Sequence, residues 1–248
     1  MNGRTLVLLL TLLSPSLATA SECVVLLHGL ARSADSMTDL ENRLARAGYH
    51  VENIDYPSRE QAIPKLAEHA VAEGLKRCQA ASASPVNFVT HSLGGILVRY
   101  YYSHHSPENV GRVVMLGPPN QGSEVVDNLK DVPGFALLNG PAGRQLGTGE
   151  SDIPRSLGPV NFELGVIAGT RSINLLLSTL LPNPDDGKVS VESARVEGMC
   201  GFITLPVTHP FMMKDDEVIR LTLHFLKQGA FDGMVPDNSC KPPPAPSN

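Results

Sequence analysis

Short apolar runs alternate along the chain with segments in which apolar residues recur every three or four positions. Runs rich in Val, Ile and Leu are typical of buried strands, whereas the longer period is typical of helices with one buried face. The predicted strands cover residues 24–27, 50–54, 86–90, 113–116 and 164–168, with 198–205 as a candidate last strand. The predicted helices cover residues 36–47, 63–78, 94–104 and 215–227. This alternation predicts βαβ units around a mostly parallel sheet, in one α/β domain over residues 21–240.

Two segments fall outside this pattern. Residues 118–159 are rich in Gly, Pro and polar residues and contain one weak helical stretch at 125–129, which predicts a long loop or a lid over one edge of the sheet. Residues 241–248, KPPPAPSN, form a Pro-rich tail that we expect to be disordered, because such a composition does not form a packed core.

Composition and charge exclude several classes of protein. The chain has 248 residues, 42% hydrophobic and 18% charged, which is enough apolar material for a sizeable core and excludes a fibrous protein. The 20 basic and 25 acidic residues give a net charge of −5, so nucleic-acid binding is not expected. Beyond the first 20 residues, no stretch reaches the roughly 18 apolar residues that a membrane-spanning helix requires.

The first 20 residues have the three parts of an export signal. Arg4 supplies the positive charge, residues 6–13 are apolar except for Thr11, and the small residues at 18–20 form a cleavage site. We therefore expect a mature chain that begins at residue 21 and is exported to the periplasm or secreted. An uncleaved anchor is the alternative, and a lipid on Cys23 is disfavoured because the bulky, charged Glu22 precedes it.

The four cysteines fit an oxidising compartment. Their even number and the lack of any CxxC spacing favour two disulfides over a metal site. Three pairings are possible. We favour Cys23–Cys78 with Cys200–Cys240, because Cys23 precedes the first predicted strand and Cys78 ends the helix that leads to the strand at 86–90, so both should lie at the same edge of the sheet.

The most informative motif is THSLGG at residues 90–95, between a predicted strand and a predicted helix. It resembles the nucleophile elbow of α/β-hydrolases, G-x-S-x-G, with Ser92 as the nucleophile. Gly94 fits the motif, whereas Thr90 departs from the usual Gly. The alternative is that Ser92 only caps the following helix.

A second motif follows the first predicted strand. His28-Gly29-Leu30 resembles the HG segment of lipases and esterases, in which backbone N–H groups form the oxyanion hole. By this resemblance the hole would be formed by the N–H groups of Leu30 and Leu93. We expect His28 itself to hold the loop by hydrogen bonds, and a plain β-turn is the alternative for the whole motif.

Chain order narrows the choice of the general base. In this fold the base follows the nucleophile and the acid. The histidines after Ser92 are His104, His105, His209 and His224. The first two end the helix that starts at Ser92, roughly 15 Å away at 1.5 Å per residue, and His224 falls within the last helix. His209, between the last predicted strand and the last helix, is therefore preferred. We expect His91 to point away from the site, because it neighbours Ser92 on a tight turn.

The acid is sought in the loop between the nucleophile and His209. The segment 185–189, DDGKV, resembles the D-G-x-V segment of secreted bacterial lipases, in which the Asp directly before Gly orients the imidazole. Asp186 is preferred on this ground. Asp185 remains an alternative, although we expect it to be a solvated carboxylate in a turn.

Together these motifs make residues 23–227 resemble exported bacterial serine lipases and esterases of the α/β-hydrolase superfamily. The segment 115–123, MLGPPNQGS, is also similar to a segment of lipases and the related GPI inositol-deacylases. The resemblance implies hydrolysis of small-molecule or lipid carboxylic esters through Ser92, His209 and Asp186, without a cofactor or metal, and transient contact with a lipid surface. No ligand pair for calcium is recognisable.

The same motifs leave other activities open. A thioesterase, an acyltransferase or an amidase uses the same three residues, because the elbow defines the nucleophile and not the leaving group. A binding protein that keeps the fold without catalysis is a further alternative. The 118–159 segment has few large apolar residues, chiefly Phe135, Leu137 and Leu138, so we expect no steep rise in activity when an ester exceeds its solubility.

Overall fold

The computed structural model describes residues 21–235 and residue 240. The predicted export signal at 1–20 and the predicted tail at 241–248 lie outside the described residues. The core is a sheet of six parallel strands in the order β2-β1-β3-β4-β5-β6. The strands are β1 Cys23–Leu27, β2 His50–Ile54, β3 Val86–His91, β4 Val110–Leu116, β5 Leu164–Gly169 and β6 Gly201–Leu205. The predicted parallel α/β sheet is confirmed.

Eight α-helices connect or follow the strands in the described residues. They are α1 Thr38–Arg46, α2 Ile63–Ala80, α3 Leu93–His104, α4 Glu124–Leu129, α5 Phe135–Arg144, α6 Ile153–Ser156, α7 Leu175–Ser178 and α8 Asp216–Gln228. Two 3-10 helices, Ala34–Met37 and His209–Lys214, precede α1 and α8. The helix predicted at 36–47 is thus a 3-10 turn followed by α1. Helices α5, α6 and α7 were not predicted, because α5 is kinked at Gly140 and the other two are four residues long.

Strands β1, β3 and β5 are buried along their whole length on both faces, which explains their nearly continuous apolar sequences. Successive side chains point to opposite faces. Val25 and Phe88 belong to the core on the face covered by α2 and α3, together with Leu66 and other apolar residues of those helices. Val24 and Val89 belong to the core on the opposite face, covered by α1 and α8. Helices on both sides therefore leave the carboxyl ends of the strands as the edge where a site can form.

A buried arginine anchors the 118–159 segment to this framework. The Arg99 guanidinium on α3 donates hydrogen bonds to the carbonyl oxygen of Asn120 at 2.8 Å and to that of Gly158 at 2.8 Å. Burial lowers the pKa of Arg99 to about 10. Because Asn120 and Gly158 lie near the two ends of the segment, one side chain holds both ends beside α3.

Both favoured disulfides are present. Cys23 is bonded to Cys78 with a Cα–Cα distance of 5.8 Å, and Cys200 to Cys240 with a distance of 5.4 Å. The first joins the start of β1 to the last turn of α2. Within the part of the chain that the structure describes, no helix combines the length and apolar character needed to cross a bilayer.

Candidate active site

Ser92 lies at the sharp turn between β3 and α3. Its backbone has φ 53° and ψ −118°, a conformation that is strained for a residue with a side chain and that costs on the order of 1–3 kcal/mol. Its N–H donates to the Leu116 carbonyl of β4 at 2.9 Å, which holds the turn against the sheet. The Ser92 side chain makes no capping hydrogen bond to α3, so the helix-cap alternative is wrong.

Gly94 is required by the close approach of α3 to β1. A Cβ atom at this position would lie 2.6 Å from the Leu27 carbonyl oxygen, closer than real Cβ atoms come to backbone. The strand and the helix therefore pack too closely for any larger residue. Thr90, where the motif usually has Gly, is fully buried in β3.

His209 and Asp186 form a buried hydrogen-bonded pair. The Nδ1 of His209 lies 2.7 Å from Oδ2 of Asp186, and since an ionised carboxylate can only accept, Nδ1 is the donor. Oδ1 of the same carboxylate accepts the N–H groups of Lys188 at 3.0 Å and Val189 at 2.9 Å. The backbone N–H of His209 also donates to the backbone carbonyl of Asp186 at 3.0 Å. These bonds orient the imidazole and leave its Nε2 available.

Gly117, directly after β4, makes room for this pair. It has φ +55°, and a Cβ atom there would lie 2.9 Å from Asp186 Oδ2 and 3.1 Å from His209 Nδ1. Gly117 belongs to the segment 115–123, for which the sequence indicates only a similarity to a segment of lipases. Because Gly117 has no side chain, the carboxylate of Asp186 and the imidazole of His209 can pack against the end of β4.

Ser92, Asp186 and His209 all line one cavity of 540 Å³ at the carboxyl edge of the sheet. Among the described residues, Ser92 makes no hydrogen bond to His209. Bonds of this kind are often long before substrate binds. Leu30 also lines the cavity, and Leu93 is the buried first residue of α3. No group of three or more His, Cys, Asp or Glu side chains in the described part of the chain is suited to hold a metal ion.

The walls of the cavity are mostly apolar and come largely from the 118–159 segment. This segment contributes more apolar residues than the three expected from the sequence: Pro119, Val125, Val126, Leu129, Val132, Pro133, Phe135, Leu138 and Leu146. The difference arises because Val and Leu residues that are scattered along the sequence converge when α4 and α5 fold over the strand ends.

Two expectations about neighbouring residues are wrong. Asp185 is 2% exposed rather than solvated; its carboxylate accepts hydrogen bonds from the Ser178 hydroxyl at 2.5 Å and the Gly187 N–H at 2.7 Å. His91 does not point away from the site but packs against His209, with 4.7 Å between ring centroids. His91 meets the loop of His209, which is distant in sequence, and Asp185 is buried because its loop folds back onto Ser178. The apolar and polar pattern around each residue shows neither contact.

The other histidines considered in the sequence analysis, His28, His104, His105 and His224, are arranged as expected. His28 holds the loop after β1: its Nδ1 donates to the Gly29 carbonyl at 2.9 Å, and its Nε2 accepts the Tyr56 N–H at 3.3 Å. Burial lowers the pKa of His28, which keeps the ring neutral and suited to this acceptor role. The other candidate bases lie elsewhere, His104 and His105 exposed at the end of α3 and His224 in α8.

Comparisons with known proteins agree with this architecture. A family model described as "alpha/beta hydrolase fold" matches residues 22–140. A Mycobacterium phage D29 protein named as a non-heme haloperoxidase is 31% identical over 134 residues, which are 52% of this chain and 47% of that protein. The chain thus spans about half the length of this curated relative.

Similar folds are found among solved structures. The mature form of the Bacillus licheniformis lipase BlEst2 is 21% identical with a TM-score of 0.65, over 84% of this chain and 92% of that one. The Aspergillus fumigatus lipase B is 16% identical with a TM-score of 0.63, over 84% of this chain and 52% of that one. With its sheet order and these matches, the chain has the α/β-hydrolase fold. The further similarity to GPI inositol-deacylases stays a prediction.

Proposed function

We propose that this protein is a carboxylic ester hydrolase in which Ser92 is the nucleophile, His209 the general base and Asp186 the residue that orients the imidazole. The observation that carries the proposal is the buried His209–Asp186 pair, with a 2.7 Å hydrogen bond, facing the same cavity as a serine held at positive φ. A serine and a histidine without a catalytic role would need neither the strained serine backbone nor the buried carboxylate beside the imidazole.

The proposed reaction proceeds through an acyl-enzyme. Nε2 of His209 removes the proton of the Ser92 hydroxyl as its oxygen bonds to the ester carbonyl carbon, and the Asp186 carboxylate stabilises the resulting imidazolium. The imidazolium then gives its proton to the leaving alcohol as the ester C–O bond breaks. Water, deprotonated by His209, attacks the acyl group and releases the carboxylic acid together with free Ser92.

The N–H groups of Leu30 and Leu93 are proposed to form the oxyanion hole. Leu93 is the first residue of α3, so its N–H has no acceptor within its own helix. The N-terminus of a helix also favours negative charge, which develops on the carbonyl oxygen during attack. Leu30 lines the cavity on the loop after β1, and its N–H is the second donor that we propose for the same oxygen.

The apolar walls favour esters with an apolar acyl chain. The volume of 540 Å³ lies in the range typical of small-molecule sites, and the Val, Leu and Phe side chains of α4 and α5 offer little to a polar substrate. Two of the solved structures with this fold are of proteins named as lipases. No cofactor is needed for this reaction.

Transient contact with a lipid surface is proposed for the rim of the cavity. The rim consists of exposed apolar side chains from two segments, Val132, Leu137, Leu138, Ile173, Leu175 and Leu176. Three of them also line the cavity, so a membrane or oil droplet bound there would face its mouth. Because the rim is already exposed, binding does not require a lid to open. We therefore expect no steep rise in activity above the solubility of the ester.

The rim has its own test. Leu175→Ser combined with Leu176→Ser should lower hydrolysis of an emulsified long-chain ester by about tenfold or more, because each buried leucine contributes roughly 1.5–3 kcal/mol. Hydrolysis of soluble p-nitrophenyl butyrate should stay near that of the parent. Val235→Ser is the control, since Val235 is exposed and lies outside the rim. Equal rates on the emulsion for both variants would contradict contact at the rim.

Export to the periplasm or the medium is proposed from the two disulfides together with the predicted signal at 1–20. Disulfides persist in oxidising compartments and are rare in the cytosol. Intact-mass analysis of exported protein should give a chain that begins at residue 21. A chain that retains Met1 in exported material would contradict cleavage.

The activity itself is tested with esters, a thioester and an amide of the same acyl group. Ser92→Ala and His209→Ala should each lower turnover of p-nitrophenyl butyrate by roughly 10⁴- to 10⁶-fold, because the residues act as a unit. The preferred leaving group distinguishes an esterase from a thioesterase or amidase, and added alcohol detects acyl transfer. A folded His209→Ala variant that remains active would contradict the mechanism, and an inactive parent would favour a noncatalytic binding protein.

A further inference from the structure

We propose that His91 is a positioning residue that joins the turn bearing Ser92 to the loop bearing His209. This inference rests on the proposed ester hydrolysis, since it assigns a role in the geometry of that site. His91 is the last residue of β3 and directly precedes the nucleophile, and it is only 2% exposed.

The contact between His91 and the His209 loop is defined by one hydrogen bond. Nε2 of His91 lies 2.9 Å from the backbone carbonyl oxygen of His209. A carbonyl oxygen can only accept, so His91 carries its proton on Nε2. The two rings also pack together, with 4.7 Å between centroids and an interplanar angle of 48°. The side chain next to the nucleophile therefore touches both the backbone and the ring of the proposed base.

With this bond, both the backbone N–H and the backbone carbonyl of His209 are hydrogen-bonded. On one side, the His209 N–H donates to the Asp186 carbonyl at 3.0 Å. On the other side, its carbonyl accepts from His91. Within the described residues, the Ser92 hydroxyl itself makes no hydrogen bond to His209, so the distance between nucleophile and base depends on backbone contacts such as this one. A misplacement of about 1 Å can cost 10²-fold in rate.

The surroundings of His91 favour a neutral ring. The Nδ1 atom of His91 is buried and has no hydrogen-bond partner among the described residues. It also lies close to the backbone of Gly29, because a Cβ atom on Gly29 would be only 2.6 Å from Nδ1. Burial holds the pKa of His91 well below its ordinary value, and the nearby Arg32 cation acts in the same direction. His91 can thus keep its hydrogen bond while His209 gains and loses a proton, without adding a second positive charge beside it.

The test compares two amides of different reach. In His91→Gln, the side-chain nitrogen can occupy the position of Nε2 and donate to the His209 carbonyl. In His91→Asn, the shorter side chain places its amide near the position of Nδ1 and leaves that carbonyl without its donor. Both variants stay polar and smaller than or similar to histidine, and their thermal midpoints report any loss of packing. His91→Leu removes the donor in an apolar form if the Asn variant fails to fold.

The expected result is a split between kcat and KM. His91→Asn should lower kcat for p-nitrophenyl butyrate by about 10- to 100-fold with KM changed by less than about twofold, because the apolar walls from α4 and α5 are unchanged, although His91 lines the cavity beside Ser92. His91→Gln should recover kcat to within about fivefold of the parent. A purely structural role would instead lower both variants in proportion to their thermal midpoints.

Three outcomes would overturn the inference. A folded His91→Asn or His91→Leu variant with the kcat of the parent would show that the bond does not position His209. Equal losses in the Gln and Asn variants would assign His91 to packing alone. If the unmodified protein is active, either of these results refutes the role of His91 and leaves the proposed ester hydrolysis standing. An unmodified protein no more active than Ser92→Ala would refute both the ester hydrolysis and the role of His91.

Discussion

Replacing Asp186 by Asn tests how this carboxylate acts on His209. Oδ1 of Asp186 accepts two backbone N–H groups, from Lys188 at 3.0 Å and Val189 at 2.9 Å, and Oδ2 faces Nδ1 of His209 at 2.7 Å. In the variant, the two N–H donors select the amide oxygen for the first position. The amide NH₂ then donates to Nδ1, which forces the proton of His209 onto Nε2. In that tautomer His209 cannot accept the proton of Ser92.

The expected loss of kcat follows from the energy needed to turn the amide of the Asp186→Asn variant into the orientation that supports catalysis. Turning the amide so that its oxygen accepts from His209 places the NH₂ against two backbone donors. Each buried donor left without an acceptor costs about 1–3 kcal/mol, so the competent orientation lies about 2–6 kcal/mol higher. At about 1.4 kcal/mol per tenfold, kcat should fall by between about 30-fold and about 2 × 10⁴-fold while KM changes little. Stopped assays with p-nitrophenyl butyrate measure this range directly.

Asp185→Asn is the matched control at the neighbouring position. Asp185 is also buried, but its partners are the Gly187 N–H and the hydroxyl of Ser178, which can reverse and accept from an amide. No donor then faces a donor, and kcat should stay within about tenfold of the parent. The reasoning would be refuted if Asp185→Asn abolished turnover while Asp186→Asn remained active, since the acid would then be the other residue.

Three further predictions concern stability and packing. Replacing Cys23 and Cys78 together by Ala should lower the free energy of unfolding by about 4 kcal/mol, the chain-entropy value for a separation of 55 residues, and a loss under about 1 kcal/mol in denaturant titrations would contradict it. Gly117→Ala should lower kcat by about tenfold or more, because its Cβ atom would press on the Asp186–His209 pair; an unchanged kcat would show that the pair can shift freely. Burial holds the pKa values of His28 and His91 below the ordinary 6.5, so below pH 6.5 the unfolded chain binds more protons than the folded chain. The free energy of unfolding should therefore fall on acidification. Denaturant titrations at pH 7 and pH 5.5 measure this change, and equal free energies at the two pH values would contradict it.

The sheet and the order of the three proposed residues could be predicted because both depend on local signals. The apolar runs of β1 and β3 are continuous since both faces of each strand are buried, and turn-forming glycines mark where the strands end. His209 followed from chain order and from its place between the last strand and the last helix. These inferences need only the sequence period and the fixed sequence of elements in the fold.

Most of the parts that could not be predicted depend on which residues meet in the folded chain. The burial of Asp185 requires Ser178, and the inward position of His91 requires the His209 loop to fold over it. Helix α5 escaped notice because Gly140 and Pro141 interrupt its period. Likewise, nothing around Arg99 in the sequence indicates that it holds both ends of the 118–159 segment. For Asp185, His91 and Arg99 the residue they contact, rather than the local pattern, decides the structure, whereas α5 is hidden by the local break at Gly140.

Labelling with a fluorophosphonate probe tests the central claim most directly, because only an activated serine reacts at a useful rate. After incubation and digestion, mass spectrometry should find one adduct, on the peptide that contains Ser92. Labelling should be lost in Ser92→Ala and strongly slowed in His209→Ala. An unlabelled parent, or an adduct on a different serine that persists in Ser92→Ala, would contradict the assignment of Ser92 as the nucleophile.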